Sequence, residues 1–307
     1  MIKVAIQGAA SKVGGELIRL LINHPDVELK YLQDDNAKSR CISSVHHGLI
    51  GELEMLICDC IQYEEIDVLF ICDSITEEEY YQINSTKHDE LKIIDITGCY
   101  RVDYEKFNMV YGLSEMNRKP LVRGAKSAVV PSSVASVALI LLYPLFLNCS
   151  INEQINISVS VPQVEKYDTT TISKIKEEIL NQILKVQPTF QGDLNLKVVN
   201  DIYQRGLRLK VAINSDAFLK DIENIYNDIY DDHNLTFVCK KELDIREVEG
   251  TDKCLISVYQ KEQDRIEIEA IADHYMRGSA GEAVHLMNLL CGLMERTGLM
   301  LKSIAYY

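Results

Sequence analysis

Length, composition and charge bound the class of protein before any motif is considered. The chain has 307 residues, 47% of them hydrophobic, which is enough for a large core and suggests two domains. Its 46 Asp and Glu residues outnumber its 32 Lys and Arg residues, for a formal net charge of −14. Such a charge repels polyanions, so we expect no nucleic acid as a partner.

Neither a membrane segment nor a metal site is expected. A strand pattern begins at Met1, and the longest apolar run, Val134 to Leu147, is interrupted and too short to cross a bilayer, so we expect a cytoplasmic protein without a membrane partner. The nine cysteines are an odd number and fit reduced core thiols. Cys58-Asp-Cys60 has no second ligand pair at a suitable spacing, so no metal site is predicted.

The first third of the chain alternates strands and helices. A helix is predicted over 14–23, where Leu17, Ile18, Leu21 and Ile22 recur at helical spacing. Five short, almost uninterrupted apolar strands are predicted, at 3–7, 27–32, 68–72, 93–96 and 128–130. Apolar strands joined by helices indicate an α/β domain, in which a parallel sheet is covered on both faces.

The pattern changes from about residue 151. Apolar and polar residues then alternate, at 155–161, 207–213 and 266–270, which is typical of antiparallel strands with one wet face. Amphipathic helices are predicted at about 170–184 and 215–229. This part is an α+β domain, and a further helix is predicted over 279–296.

A small-residue loop follows the first strand and opens the first helix. It reads Gly8-Ala-Ala-Ser11-Lys-Val13-Gly14, close to the Rossmann turn whose backbone amides approach a pyrophosphate. Gly8 and Gly14 hold the outer glycine positions, and Ser11 stands where the middle glycine belongs. We predict that Gly8, Ser11, Val13 and Gly14 contact a dinucleotide, NAD or NADP, although a tight turn alone would explain the same residues.

The second strand ends on Gln33-Asp34-Asp35. A carboxylate at this point accepts hydrogen bonds from an adenosine ribose and repels a 2′-phosphate. Asp34 therefore favours NAD over NADP. The alternative is a solvated acidic turn, since Lys38 and Arg40 lie close by.

Five motifs in chain order resemble N-acetyl-gamma-glutamyl-phosphate reductase, within the wider semialdehyde dehydrogenase family. They are Gly8 to Leu21, Val45-His-His-Gly-Leu49, Asp95-Ile-Thr-Gly-Cys-Tyr-Arg101, Tyr111-Gly-Leu-Ser-Glu115 and the long segment Asp273 to Asn288. The resemblance implies a Rossmann domain over 1–133 plus 274–307, with an α+β substrate and dimerisation domain over 134–273. It also implies a homodimer and a small anionic metabolite as substrate.

The resemblance places position 133 at the catalytic cysteine, because the family motif Asn-Pro-Gly-Cys reads Val130-Pro131-Ser132-Ser133 here. The family reaction needs a thiolate that attacks an acyl phosphate, and a histidine as base. The position that matches the histidine is Val199, and no histidine lies between His88 and His233. Nucleophile and base are therefore both absent.

Alternatives stay open at these positions. Ser132 or Ser133 can simply cap a helix, Ser133 can be a serine nucleophile, and Cys99, which replaces an aspartate of its motif, can be a relocated thiol. Arg101 and Arg205 match family arginines that resemble substrate anchors, but either can instead pair with an acidic residue.

Two positions of the last motif match the cofactor side of the family, namely Gly281 and Asn288. They can equally belong to a closely packed helix. His274 and His285 replace an asparagine and a glutamine, so neither inherits a function.

Two functions follow from these residues. In the first, the chain binds a dinucleotide and an anionic metabolite but has lost thioester-based reduction. In the second, it is an active oxidoreductase on an aldehyde or acyl phosphate that uses Cys99 or Ser133.

Overall fold

The structure is a computed structural model that describes residues 1–86, 88–149, 153–214, 219–262 and 265–305. The chain divides into two compact units, Met1–Pro131 with Ser279–Met300 and Ser132–Gly278 with Leu301–Tyr307. The second unit is thus inserted into the chain of the first. The boundaries predicted from the sequence were 133/134 and 273/274.

The first unit contains a parallel sheet of six strands, in the order β2-β1-β3-β4-β6-β5. The strands are β1 (Ile2–Gln7), β2 (Val27–Gln33), β3 (Val68–Ile71), β4 (Lys92–Asp95), β5 (Val110–Tyr111) and β6 (Ser127–Val129). The predicted α/β fold with a parallel Rossmann-type sheet is confirmed. Only β5 was missed, because two residues are too few to show a periodicity.

Helices cover this sheet. They are α1 (Lys12–Leu21), α2 (Glu77–Thr86), α3 (Ser114–Val122) and α7 (Ala280–Leu290). Leu17, Ile18 and Leu21 form the buried face of α1, as their spacing predicted. Every residue of α7 is buried, and the helix packs against α1, α3 and β4. The last helix therefore returns to the first unit.

The second unit contains a mixed sheet in the order β10-β11-β12-β9-β7-β8. Its strands are β7 (Ile155–Pro162), β8 (Leu194–Asp201), β9 (Leu207–Asn214), β10 (Thr236–Val238), β11 (Cys254–Glu262) and β12 (Arg265–Ala272). The middle of the sheet is antiparallel, as predicted, whereas the edge pairs β7–β8 and β10–β11 are parallel. For β7 and β8 the reason is the connecting helix, because a helical crossover returns the chain in the same direction.

The helices of this unit are α4 (Ser133–Asn148), α5 (Thr169–Val186) and α6 (Leu219–Tyr230). The predicted start of α6 at residue 215 lies outside the described residues. Helices α4 and α6 pack on the sheet, whose apolar face includes Leu209, Val211 and Ile268. The opposite face, here called the polar face, carries a cross-strand row of charges in which Arg208 pairs with Glu269.

No helix among the described residues is both long enough and apolar enough to cross a membrane.

Candidate functional site

The carboxyl ends of the first sheet form the candidate dinucleotide site. Strand β1 lies between β2 and β3, so the chain leaves β1 in one direction and returns on its other side, and ligands of such sheets bind at this switch point. Gly8 follows β1 with φ +79°, and a Cβ on it would lie 2.7 Å from the Asp73 backbone nitrogen. Only glycine fits here, because both the backbone angle and the approach of Asp73 exclude a side chain.

Ser11 closes the loop between β1 and α1. Its Oγ donates to the Gly8 carbonyl at 2.7 Å and accepts from the Gly14 amide at 3.0 Å, which makes it the N-cap of α1. A Cβ on Gly14 would lie 2.6 Å from the Gly8 carbonyl oxygen, so this glycine allows the helix to approach the strand. Val13 is half-buried in the first turn of α1.

Asp34 is buried at the end of β2. Its Oδ2 accepts from the Ala10 amide at 3.2 Å, and its Oδ1 accepts from the Asn36 amide at 3.0 Å. The carboxylate therefore lies beside the loop, as a ribose-binding residue should, and it also holds the loop in place. Asp35 is exposed and accepts from Gln33 Nε2.

His46 is a residue of this site that sequence reasoning did not single out. Its Nε2 lies 2.8 Å from the Ala9 carbonyl oxygen, and a Cβ on Gly15 would lie 2.7 Å from its Nδ1. The imidazole thus packs against the loop and the start of α1. The signal in the sequence was its place in the motif Val45-His-His-Gly-Leu49.

The loop after β4 holds Cys99 and Arg101. Cys99 is exposed. Arg101 Nε donates to the Val130 carbonyl at 2.7 Å, and its Nη2 donates to the Ile96 carbonyl at 3.1 Å. In this structure the guanidinium therefore joins the ends of β4 and β6 through two backbone carbonyls.

Asp95 begins the same loop and is fully buried. Its Oδ1 accepts from the Thr97 amide at 2.9 Å and from Thr97 Oγ1 at 2.7 Å. Burial raises the pKa of this carboxyl above its ordinary value. Burial likewise raises the pKa of the Cys72 thiol, the residue after β3, so Cys72 is not a thiolate at neutral pH.

Gly281 and Asn288 lie in α7 and are buried. The Asn288 amide donates to the carbonyls of Glu295 and Thr297 at 3.1 and 2.8 Å, and its Oδ1 lies 3.0 Å from His24 Nε2. These bonds fix the chain after α7. The cofactor role of Gly281 and Asn288 stays a prediction.

In the second unit, the start of α4 binds a carboxylate from α5. The Ser132 amide donates to Glu178 Oε1 at 3.0 Å, and Ser132 Oγ donates to Glu178 Oε2 at 2.7 Å. Ser132 is also the N-cap of α4, since its Oγ accepts from the Ala135 amide at 3.4 Å. Glu178 is only 3% exposed. Sequence reasoning missed it, because Ser132 and Glu178 are 46 positions apart.

Ser133 is the first residue of α4 and is half-buried. Its Oγ donates to the His274 carbonyl at 3.0 Å. The segment after His274 packs on the same turn, because a Cβ on Gly278, whose φ is +67°, would lie 2.5 Å from Ser133 Cα. The hydroxyl thus ties α4 to the 273–278 segment.

Arg205 lies beside the same segment. Its Nε pairs with Asp273, which is fully buried, and its guanidinium stacks 5.2 Å from the centre of the Tyr275 ring. A quarter of the Arg205 side chain remains exposed. The acidic pairing that the sequence left open is therefore present, and the structure brings Arg205 and Ser133 to one segment of the chain.

His274 and Glu165 complete this group. His274 Nδ1 accepts from the Gly206 amide at 3.1 Å, while its Nε2 lies 3.6 Å from Glu165 Oε1. The Tyr275 hydroxyl also donates to Glu165 Oε1, at 3.0 Å. Because Nδ1 is an acceptor, the ring is neutral, and burial lowers its pKa below the ordinary value of 6.5.

Val199, the position that the resemblance matches to the family's histidine, lies in β8 beside Asn200. Val199 in β8 pairs with Ser160 on the polar face of the sheet, away from α4 and α6. Its neighbour Asn200 instead donates to the carbonyls of Pro162 and Glu165, both at 2.9 Å. Of the two positions, 200 is therefore the one whose side chain reaches the Glu165 segment.

Comparisons with known proteins agree with this fold. Residues 3–123 match the family model of the semialdehyde dehydrogenase NAD-binding domain. Aspartate semialdehyde dehydrogenase II from Vibrio cholerae, solved in complex with ASA, covers 95% of this chain and 98% of its own, with a TM-score of 0.72 and 15% identity. The enzyme from Candida albicans, solved with NADP, covers 95% and 98%, with a TM-score of 0.68 and 12% identity.

Relatives of higher identity are reductases. N-acetyl-gamma-glutamyl-phosphate reductase from Parabacteroides distasonis is 32% identical over the full length of both chains. The enzyme of the same name from Azobacteroides pseudotrichonymphae is also 32% identical over 100% of each chain. The chain therefore belongs to the N-acetyl-gamma-glutamyl-phosphate reductase family of the semialdehyde dehydrogenases.

Proposed function

We propose that this chain binds a nicotinamide dinucleotide and a small anionic metabolite but no longer carries out thioester-based reduction. The observation that carries the proposal is the chemistry at the start of α4. Ser133 stands at the family's cysteine, and its hydroxyl donates to a backbone carbonyl rather than to a base. A serine without a base is a poor nucleophile.

The proposed binding of a dinucleotide depends on the loop after β1. The space beside Gly8 and Gly14 is too small for a Cβ, and both residues let backbone approach closely. The amides of Lys12 and Val13 in the first turn of α1 would bind the pyrophosphate, since the loop amides donate within the protein. The Asp34 carboxylate would bind the ribose and disfavour a 2′-phosphate. When bound, the nicotinamide would supply hydride chemistry. Ser11 stands where the loop would approach the pyrophosphate most closely, so its side chain should weaken the binding of both NAD and NADP.

The proposed binding of an anionic metabolite depends on Arg205. Its guanidinium is partly exposed and lies against the Tyr275 ring. Such a guanidinium suits a carboxylate or a phosphate. Arg101 is the second candidate, although two backbone carbonyls now bind it. The names of the relatives point to an N-acyl-glutamyl compound.

The base is also lost. The sequence has no histidine between His88 and His233, and Val199 and Asn200 occupy the positions where the family's histidine is expected. His274 does not replace it, because Nδ1 accepts from Gly206 and Nε2 faces Glu165. In this tautomer Nδ1 already accepts a proton donor and Nε2 carries the ring proton, so neither nitrogen has a lone pair for the proton of a substrate hydroxyl or thiol.

The test combines binding with turnover. Thermal shift with NAD and NADP should show stabilisation by a dinucleotide, and the phosphate-dependent assay with N-acyl-glutamate semialdehydes should show no reduction of either cofactor. Turnover by the wild-type protein that Cys99→Ser or Ser133→Ala abolishes would refute the loss of chemistry. It would establish instead an oxidoreductase with a relocated nucleophile, for which the exposed Cys99 thiol is the stronger candidate.

A further inference from the structure

The bonds of Ser132 determine what the start of α4 can bind. The first amides of a helix have no partner within the helix and carry a partial positive charge, so they stabilise an anion. Here that anion is already present in the protein. The Glu178 carboxylate accepts hydrogen bonds from the Ser132 amide at 3.0 Å and from Ser132 Oγ at 2.7 Å.

The surroundings make this carboxylate a fixed part of the site. Glu178 lies in the middle of α5, which packs along α4, and it is 3% exposed. Its neighbours on α5, Ile179 and Gln182, are buried as well. A side chain with so little freedom keeps its carboxylate at Ser132, the residue directly before position 133.

A fixed carboxylate opposes the family's chemistry. A cysteine at a helix N-terminus gains reactivity because the helix dipole lowers its pKa. A like charge within a few ångströms raises a pKa again, since two anions in one site repel each other. A thiolate at position 133 and the oxyanion of an acyl group would both meet the Glu178 charge.

We propose that Glu178 closes the start of α4 to anions, so that this site excludes both a thiolate at position 133 and the phosphate of an acyl phosphate. This inference rests on the proposed function and deepens it, because it names the residue that excludes the family's substrate class. The loss of chemistry then has a second cause besides the missing cysteine and histidine. The substitution Ser133→Cys alone would leave the site closed.

The experiment measures the reactivity of a thiol placed at this position. In Ser133→Cys, the rate at which iodoacetamide labels the introduced thiol is followed against pH by peptide mass mapping, which separates it from the other cysteines. With Glu178 present, we expect a thiol pKa at or above the ordinary value of about 8.5. In Ser133→Cys with Glu178→Gln, we expect that pKa to fall by at least about one unit.

Glu177→Gln is the matched control, because Glu177 carries the same charge one position away and is exposed. In the Ser133→Cys background it should leave the thiol pKa unchanged. The proposal is overturned if the pKa of the introduced thiol is already depressed with Glu178 in place, or if Glu178→Gln shifts it no more than Glu177→Gln does. If Glu178→Gln fails to fold, Glu178→Met replaces it, with the same fall in pKa expected.

The two proposals fail separately. Turnover of a semialdehyde by the wild-type protein would refute the proposed function whatever the thiol pKa is. A pKa of the introduced thiol that does not respond to Glu178→Gln would refute this inference and leave the loss of turnover in the wild-type protein standing.

Discussion

Asp34 is the residue on which the proposed preference for NAD depends. It accepts the amides of Ala10 and Asn36, and it carries a charge at the point where an adenosine ribose would lie. We predict that NAD binds more tightly than NADP, and that Asp34→Asn narrows this preference, because an amide neither repels a 2′-phosphate nor accepts as strongly from a ribose hydroxyl. Titration calorimetry with both cofactors measures the ratio of the two dissociation constants.

The control is Asp59→Asn, which removes an exposed carboxylate and should leave that ratio unchanged. Asp35→Asn, measured in parallel, shows how much of the preference the exposed neighbour supplies. Tighter binding of NADP than of NAD by the wild-type protein would contradict the prediction.

His274 predicts a dependence of stability on pH. Its pKa lies below 6.5 in the folded protein, first because of burial, and Arg205 lowers it further, whereas Asp273 and Glu165 raise it. The unfolded chain therefore binds a proton more readily than the folded protein does. The free energy of unfolding should fall as the pH drops below about 6.5, with a contribution of at most about 1.4 kcal/mol per pH unit.

His274→Asn removes this group while its amide oxygen can still accept from Gly206, so the fall in stability between pH 6.5 and 5 should become shallower. Denaturant unfolding over this range measures it, and His47→Asn, at an exposed site, is the control. Equal slopes for the wild-type protein and His274→Asn would show that His274 does not titrate differently on unfolding.

A histidine introduced as the general base should act from position 200 rather than from position 199. Asn200 contacts the Glu165 backbone, while Val199 lies on the polar face of the sheet. In the Ser133→Cys, Glu178→Gln background, we predict that Asn200→His raises phosphate-dependent reduction of NAD at least about tenfold, a fraction of the ~10²–10⁴-fold that general-base catalysis typically contributes. Val199→His in the same background is the comparison. A larger gain from Val199→His would mean that the histidine of the family aligns with Val199 in space as well as in sequence.

At the level of elements, the start of α1 depends on one serine. Ser11 caps the helix, and it also stands where the Rossmann loop is predicted to approach a pyrophosphate most closely. Ser11→Ala loses the cap and should lower the free energy of unfolding by about 1 kcal/mol, whereas Ser11→Gly should lower it by only a few tenths. Ser11→Gly should also bind NAD more tightly than the wild-type protein, because it removes the side chain from the phosphate path.

Denaturant unfolding and calorimetry on both variants separate these two effects. Equal NAD affinity for Ser11→Gly and Ser11→Ala, above that of the wild-type protein, would show that the hydroxyl is the part of Ser11 that weakens binding. An affinity of Ser11→Gly below that of the wild-type protein would show that the hydroxyl helps binding instead.

Elements with a strong local pattern could be predicted from the sequence, and contacts between distant elements could not. Helix α1 and strand β1 follow from apolar spacing and small residues within a few positions. The parallel pairing of β7 with β8 depends on the crossover through α5, which no local pattern records. The same limit applies to the candidate site, where the motif pointed to Ser133 but no local pattern pointed to Glu178, which accepts from Ser132 across 46 positions.

The whole molecule is predicted to form a homodimer through the sheet of its second unit. On the polar face, Glu267 and Glu269 are only 5% and 3% exposed, because cross-strand cations such as Lys210 cover them. Val199 lies on this face and is 41% exposed. A face whose buried carboxylates are already paired can contact a second copy by two-fold symmetry without leaving those carboxylates unpaired.

Light scattering at micromolar concentration should therefore give twice the chain mass of 34.9 kDa. Val199→Glu should shift the protein towards the monomer on dilution, because it adds an unpaired charge to the polar face. Val122→Glu is the matched control, since Val122 is a valine of similar exposure, 45%, in the first unit. A monomeric wild-type protein would exclude the dimer. Dissociation by Val122→Glu but not by Val199→Glu would place the interface on another surface.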